Sequence, residues 1–503
     1  MTRSPVLLAC LLVAAPLAAC GSGSSDAGPS SPGGALGTPS PAPGGASSSA
    51  PAGSSVPAGS DAGAAADGAA PAPGPAGAAL WTTRLGGPQA DNGAAVAVDP
   101  GGGVIVAGTY QGTATVGGVP LDGAGQIDFF VAKYAASGAV QWVRPFGGPG
   151  NDAATSVAVD KMGNVYVAGA SDGALTLGGS SFGQTSATGA FLLAIDPFGN
   201  VANAKAYGGD AYGTVVGVAV AADGTVGLCG SYKGQIDLGG GPITAAQGTY
   251  AGFAATFDAS LKLAFAQPLG TSATAVAQSL AFNASGQLAV VGTFSGTGTF
   301  GGAALTSAGG NDVFVTTFDA TGAGLASKSI GGLGQDDGRS VTFDATGDLL
   351  IAGGFADSVD FGGGAVTSQG ALDAFVVKLT AGGTFAWAKT LGGAGVDEAV
   401  AVAVDASGGV LLGGEFEQTM TVGATPLTSA GDKDVFAVKL TSSGSLAWGK
   451  RFGSLQADEG AGVAFDAKGN GLLTGYFRTN VDFGTGMQTS AGDDDVFVAA
   501  FAP

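Results

Sequence analysis

The sequence predicts an all-β fold of short strands gathered into repeated four-stranded sheets, and three observations carry that expectation. Glycine supplies 95 of 503 residues, a share that a packed core tolerates where strands and tight turns dominate. Only 11% of the chain is charged. One pattern also recurs seven times: its turn-opening position falls at Asp99, Asp160, Ala221, Asn283, Asp344, Asp405 and Asp466. Repetition at that period points to a modular array of sheets.

Residues 1–19 precede the repeat and read as a signal peptide. Arg3 opens a basic start, and Val6 to Ala19 is an apolar run too short to span a membrane. The segment Leu17-Ala18-Ala19-Cys20-Gly21 resembles the lipobox of bacterial lipoproteins. That resemblance implies cleavage after Ala19 and acylation of Cys20, which would hold the protein on membrane lipid. Gly21, in place of an Asp, favours transport to the outer membrane, with the chain periplasmic or surface-exposed. Residues 20–80 form a linker in which 53 of the 60 positions after Cys20 are Ala, Gly, Ser or Pro. Such a composition buries too little apolar area to offset its ordering entropy.

Each repeat unit from 81 to 503 reads as four strands. In the sixth, Ala399 to Val404 alternates Ala and Val, and Asp405-Ala406-Ser407-Gly408 turns the chain into Val410 to Gly413. A long Gly/Thr/Ser segment leads to Asp434 to Lys439, and a second turn leads to Leu446 to Lys450. Asp opening a turn and Gly accepting positive φ is hairpin chemistry, so neighbouring strands are expected to be antiparallel. Small first-strand residues suit a crowded axis, while Phe and Trp fill the widening space outside. That taper predicts a seven-bladed β-propeller. The chain enters the repeat at a fourth strand, Trp81 to Leu85, and leaves at a third strand ending at Phe501. The N-terminal strand is therefore expected to complete the last blade, giving 28 strands.

The runs Asp373-Ala-Phe-Val-Val-Lys-Leu379, Leu391-Gly-Gly-Ala-Gly-Val-Asp397 and Val402-Ala-Val-Asp405 resemble the SBBP repeat of bacterial surface propellers. Residues 151–169 resemble it equally, and units three and four depart from it, with Gly213 and Ala275 replacing an Asp. The resemblance implies fold, and it offers no catalytic residues to carry over.

Composition narrows function further. The net charge of −20, with only five arginines after Arg3, argues against nucleic acid. The chain has no histidine, which excludes Ser–His–Asp and Cys–His catalysis and His-ligated zinc. A monomeric binding or scaffolding module for an envelope protein or glycan is expected, and no enzyme. The alternative is a polysaccharide-degrading hydrolase or lyase using paired carboxylates.

The connections from strand two to three and from four to the next unit are long and share one face, where binding is expected. Glu398, Glu415, Glu417 and Glu459, all the glutamates of the chain, fall there with Asp336 and Asp337. The four glutamates are expected to form an exposed acidic sector whose joint replacement by Gln changes folding little, with Arg478 facing Glu417 across a boundary. The recurrent aspartates Asp91, Asp152, Asp336, Asp397 and Asp458, and Asp128, Asp312, Asp373, Asp434 and Asp495, are expected to cap backbone N–H groups. No cofactor is expected, with calcium the possible exception and Asp493, Asp494 and Asp495 its weak candidates. Cys229 is expected to be buried and inert, and the four tryptophans to pack between blades.

Overall fold

In a computed structural model, residues 75–182, 189–208 and 212–503 are described. The expected signal peptide with its cleavage site at Ala19, the expected lipidation site Cys20 and most of the expected linker lie outside the described residues. Among the described residues, no helix is long and apolar enough to cross a membrane.

The described secondary structure is entirely β. Backbone pairing gives seven groups of four antiparallel strands. The first holds Asn92–Val98, Val104–Tyr110, Asp128–Tyr134 and Val140–Phe146. The innermost strands of the next six are Asp152–Val159, Tyr212–Val220, Thr274–Phe282, Asp336–Phe343, Asp397–Val404 and Glu459–Phe465. The seventh group takes its fourth strand from the chain start: Ala79–Gly86 pairs with Met487–Phe501, setting Trp81 opposite Ala500 and Leu85 opposite Val496. The packed chain begins ahead of Trp81, because Gly77 donates to the Ala502 carbonyl and Ala502 to that of Ala78.

Each second strand is buried along its whole length in the first, second and fifth groups, as expected for a layer covered by sheets on both sides. Between groups the core is apolar and aromatic. Phe129 stacks on Phe191 with ring centroids 4.9 Å apart, and Phe452 of the sixth group packs on Phe483 of the seventh at 5.4 Å. Cys229 is fully buried among Ala254, Leu280 and Val290, and burial pushes its thiol up.

Two features differ from the four-strand expectation. The Gly/Thr/Ser segment between strands two and three is itself a hairpin, such as Thr113–Val116 with Val119–Asp122. It reaches across to the preceding group, with Leu85 opposite Val116 and Gly392 opposite Thr421. Every innermost strand also carries a β-bulge at one repeat position, with register shifts that single out Ala94, Thr155, Val216, Gln278, Arg339, Val400 and Ala461.

Candidate functional site

The recurrent aspartates separate into structural staples. Asp152 accepts the Gly148 N–H at 2.7 Å, and Asp91, Asp336, Asp397 and Asp458 accept the equivalent N–H four residues upstream. The second set does the same at the third strand, with Asp128, Asp312, Asp373, Asp434 and Asp495 accepting N–H groups of Ala124, Ala308, Gln369, Ala430 and Ala491. Both sets are buried. Burial pushes Asp91, Asp336 and Asp397 up to about 7, although backbone N–H donors oppose it. Asp336 thus belongs to the framework.

Two of the three calcium candidates pair with arginines, and the third, Asp493, is exposed. Asp495 meets Arg84 at 2.7 Å, and Asp494 is bonded to Arg478. Arg478 therefore takes a partner within its own sheet, where Glu417 had been expected. Among the described residues, no group of three or more metal-ligating side chains converges. Three of the four tryptophans latch neighbouring sheets: Trp142 Nε1 donates to the Pro197 carbonyl at 3.1 Å, Trp81 Nε1 to that of Ala136 at 3.0 Å and Trp387 Nε1 to that of Ser442 at 3.3 Å.

A different constellation gathers at the axial end of the long-connection face. The residue after the capping-aspartate position, which is Gly213 in group three and Ala275 in group four, lies at or near the start of the innermost strand, and from group one to group seven it reads Asn92, Ala153, Thr214, Val276, Asp337, Glu398 and Glu459. Its cross-strand partner on the second strand reads Thr109, Ala170, Ser231, Thr293, Gly354, Glu415 and Tyr476. Both positions are small or weakly polar in most units, and charge enters them only in groups five to seven. The bulge re-aims Arg339, and its guanidinium forks onto Glu398 of the next group, with Nε at 2.6 Å and Nη2 at 3.3 Å. Lys433 Nζ lies 2.6 Å from Glu415 and 3.6 Å from Glu459. Tyr476 stands opposite Glu459 in register on the second strand.

Three of the four glutamates lie in neighbouring groups here, held by Arg339 and Lys433 and sharing no common centre, and Glu417 is not among them. Glu417 sits further out on its strand, opposite Lys433 in register and beside the Asp397 loop. The acids are also not an exposed sector. Glu398 and Glu415 side chains are only 10% exposed, whereas Arg339 and Lys433 keep 24% and Glu459 27%. Charged groups enclosed by chain yet still wetted describe a recess. Desolvation, then the Glu459 charge, push Glu415 up to about 7 against the pull of Lys433. Glu398 and Asp337 raise the Arg339 guanidinium, and burial raises Asp337. The glutamates were visible in the sequence by composition alone. Arg339 was missed, and its signal was a lone large cation in an innermost strand of small residues.

Seven repeated four-stranded antiparallel sheets, linked by latches and interlocking hairpins, define a β-propeller. The family described as SBBP, beta-propeller repeat, matches residues 141–175, so the repeat of this chain is of SBBP type over that stretch. The WD40 beta propeller domain of Doa1 is similar at 13% identity and a TM-score of 0.44, over 85% of this chain and 97% of that one. YCF48 bound to D1 peptide is similar at 10% identity and 0.39, over 86% and 100%. A protein of unknown function from Bacteroides caccae is similar at 12% and 0.34, over 64% and 89%. No curated protein matches the chain.

Proposed function

We propose that this chain is a lipid-anchored binding or scaffolding module of the cell envelope, and that its partner docks on the long-connection face over the recess of groups five to seven. One observation carries the reading: side chains of opposite charge are concentrated at ring positions that most repeats fill with small residues. A repeat that needs no charge for folding at four boundaries has acquired it at adjacent ones. Leu333 and Leu455 stand 79% and 78% exposed on the same face, and exposed apolar anchors beside a charged recess suit protein recognition.

Orientation supports the same reading. Gly77 lies against the Trp448 ring as Gly138 lies against Trp81, so the chain enters the fold among the short turns. The long-connection face is the one away from that entry. A photo-cross-linking residue at Leu455 is expected to trap a partner in cells, and one at Met162 on the short-turn face is not. Trapping only at Met162 would overturn the assignment of face. Anchoring is tested separately: Cys20→Ala is expected to shift the protein from the membrane to the soluble fraction.

Glu415 and Glu459 favour a second reading, polysaccharide cleavage. They meet one ammonium, and Glu415 near 7 pairs a proton-holding acid with a neighbouring carboxylate. Depolymerase activity lost in Glu415→Gln would support it.

A further inference from the structure

The repeat supplies its own template for what the recess binds. At the boundary of groups five and six, the bulge residue Arg339 fills the space before the next ring residue, Glu398, and satisfies it with a forked charge-assisted pair. At the next two boundaries the equivalent bulge residues are Val400 and Ala461, whose side chains carry no donor. The ring residues they precede are Glu459 and Asn92. Glu459 keeps 27% exposure and shares Lys433 with the nearer Glu415, so one ammonium faces two carboxylates. Asn92 is nine-tenths buried, and its Oδ1 has no hydrogen-bond partner. A buried acceptor without a donor is costly, and it sits where the ring turns from an acidic group to a neutral one.

We infer that the recess at groups six, seven and one binds a guanidinium cation, the side chain of an arginine presented by a partner. The ligand takes beside Glu459 and Asn92 the place that Arg339 takes beside Glu398. Tyr476 faces Glu459 across the strand pair, and Lys433 bounds the pocket on the group-six side. A planar fork of N–H donors matches a carboxylate next to an amide oxygen better than a compact ammonium does. Asp337, on the far side of Arg339, adds negative charge without reaching this position.

This inference rests on the docking reading above, and calorimetry on the purified full chain tests it apart. Argininamide is the probe and neutral citrullinamide its shape control. Saturable argininamide binding is expected, with citrullinamide at least tenfold weaker. Glu459→Gln is expected to weaken argininamide at least tenfold. Val400→Arg, which places the chain's own guanidinium before Glu459, is expected to abolish binding while far-ultraviolet circular dichroism stays unchanged. If Glu459→Gln fails to fold, Val400→Arg carries the test alone. Absence of saturable binding to the parent, equal binding of citrullinamide, or undiminished binding to folded Val400→Arg overturns the inference. Cross-linking at Leu455 together with any of these results leaves the docking face standing and removes only the guanidinium.

Discussion

Gly147 shows how tightly one residue is fixed by a partner in another strand. A Cβ built there would fall on the Asp128 carboxylate, and one on Gly148 would meet the Ala174 carbonyl. Gly331, Gly392 and Gly453 stand in the same relation to Asp312, Asp373 and Asp434. The double-glycine loop therefore exists to let a buried aspartate approach the backbone. Gly147→Ala is expected to destabilise the domain by about 3 kcal/mol or more, since neither neighbour can retreat. Gly179, with φ of 81° and open space around its Cβ position, serves as the comparison. Gly179→Ala is expected to cost about 1–2 kcal/mol from backbone strain alone. Equal shifts in the two denaturation midpoints would refute the packing account. Glu398→Gln extends the same logic to charge: it strands the Arg339 guanidinium and is expected to cost about 3 kcal/mol. An exposed glutamate would have cost almost nothing. The capping aspartates were legible in sequence because an acceptor and a donor four residues apart form a local pattern. Glu398 was misjudged as exposed because its burial depends on a bulge in the preceding sheet.

Strands one to four were legible as elements because alternation and Asp-x-x-Gly turns are local signals. Asp99 Oδ1 accepts the N–H groups of Gly101 and Gly103, as that chemistry requires. The second hairpin of each unit was not legible. Leu175–Leu177 and Ser180–Phe182 are three residues each, too short for alternation to stand out from a loop. Their role is still structural, for Leu175 and Leu177 are buried against Phe129 and Phe191 in the core between groups one and two. Leu177→Ala is expected to cost about 2–5 kcal/mol, as a core truncation does. A true surface loop would tolerate the change within about 0.5 kcal/mol. Chemical denaturation of that one variant separates the two descriptions.

For the whole molecule, the pairing of Ala79–Gly86 with Met487–Phe501 joins the two ends of the repeat. Deleting residues 81–86 bares the edge of a long strand and removes Leu85 from the core. The truncated chain is expected to melt well below the parent in a single transition, and an unchanged melting temperature would refute a role for this pairing in stability. The buried aspartates add a property that no single sheet has. Asp91, Asp336 and Asp397 rise to about 7 in the folded chain, and Asp152 and Asp458 to about 6, with desolvation the leading cause. Each such group binds its proton more tightly folded than unfolded. Its contribution is complete below the unfolded value near 4 and is lost as pH rises through 6 to 7. Asp344 and Asp405 act in the opposite sense. Lysine and backbone donors overcome burial and hold both near 2, so their contribution exists above pH 4 and is lost as pH falls towards 2. With Glu415, six strongly raised carboxyls stand against two strongly lowered ones, which places greatest stability on the acid side of neutrality. The melting temperature is expected to be higher by several degrees at pH 5 than at pH 8, and to fall again below pH 3. A profile that instead rises from pH 5 to pH 8 would mean that the backbone N–H donors outweigh desolvation and that the capping aspartates are ionised in the folded chain.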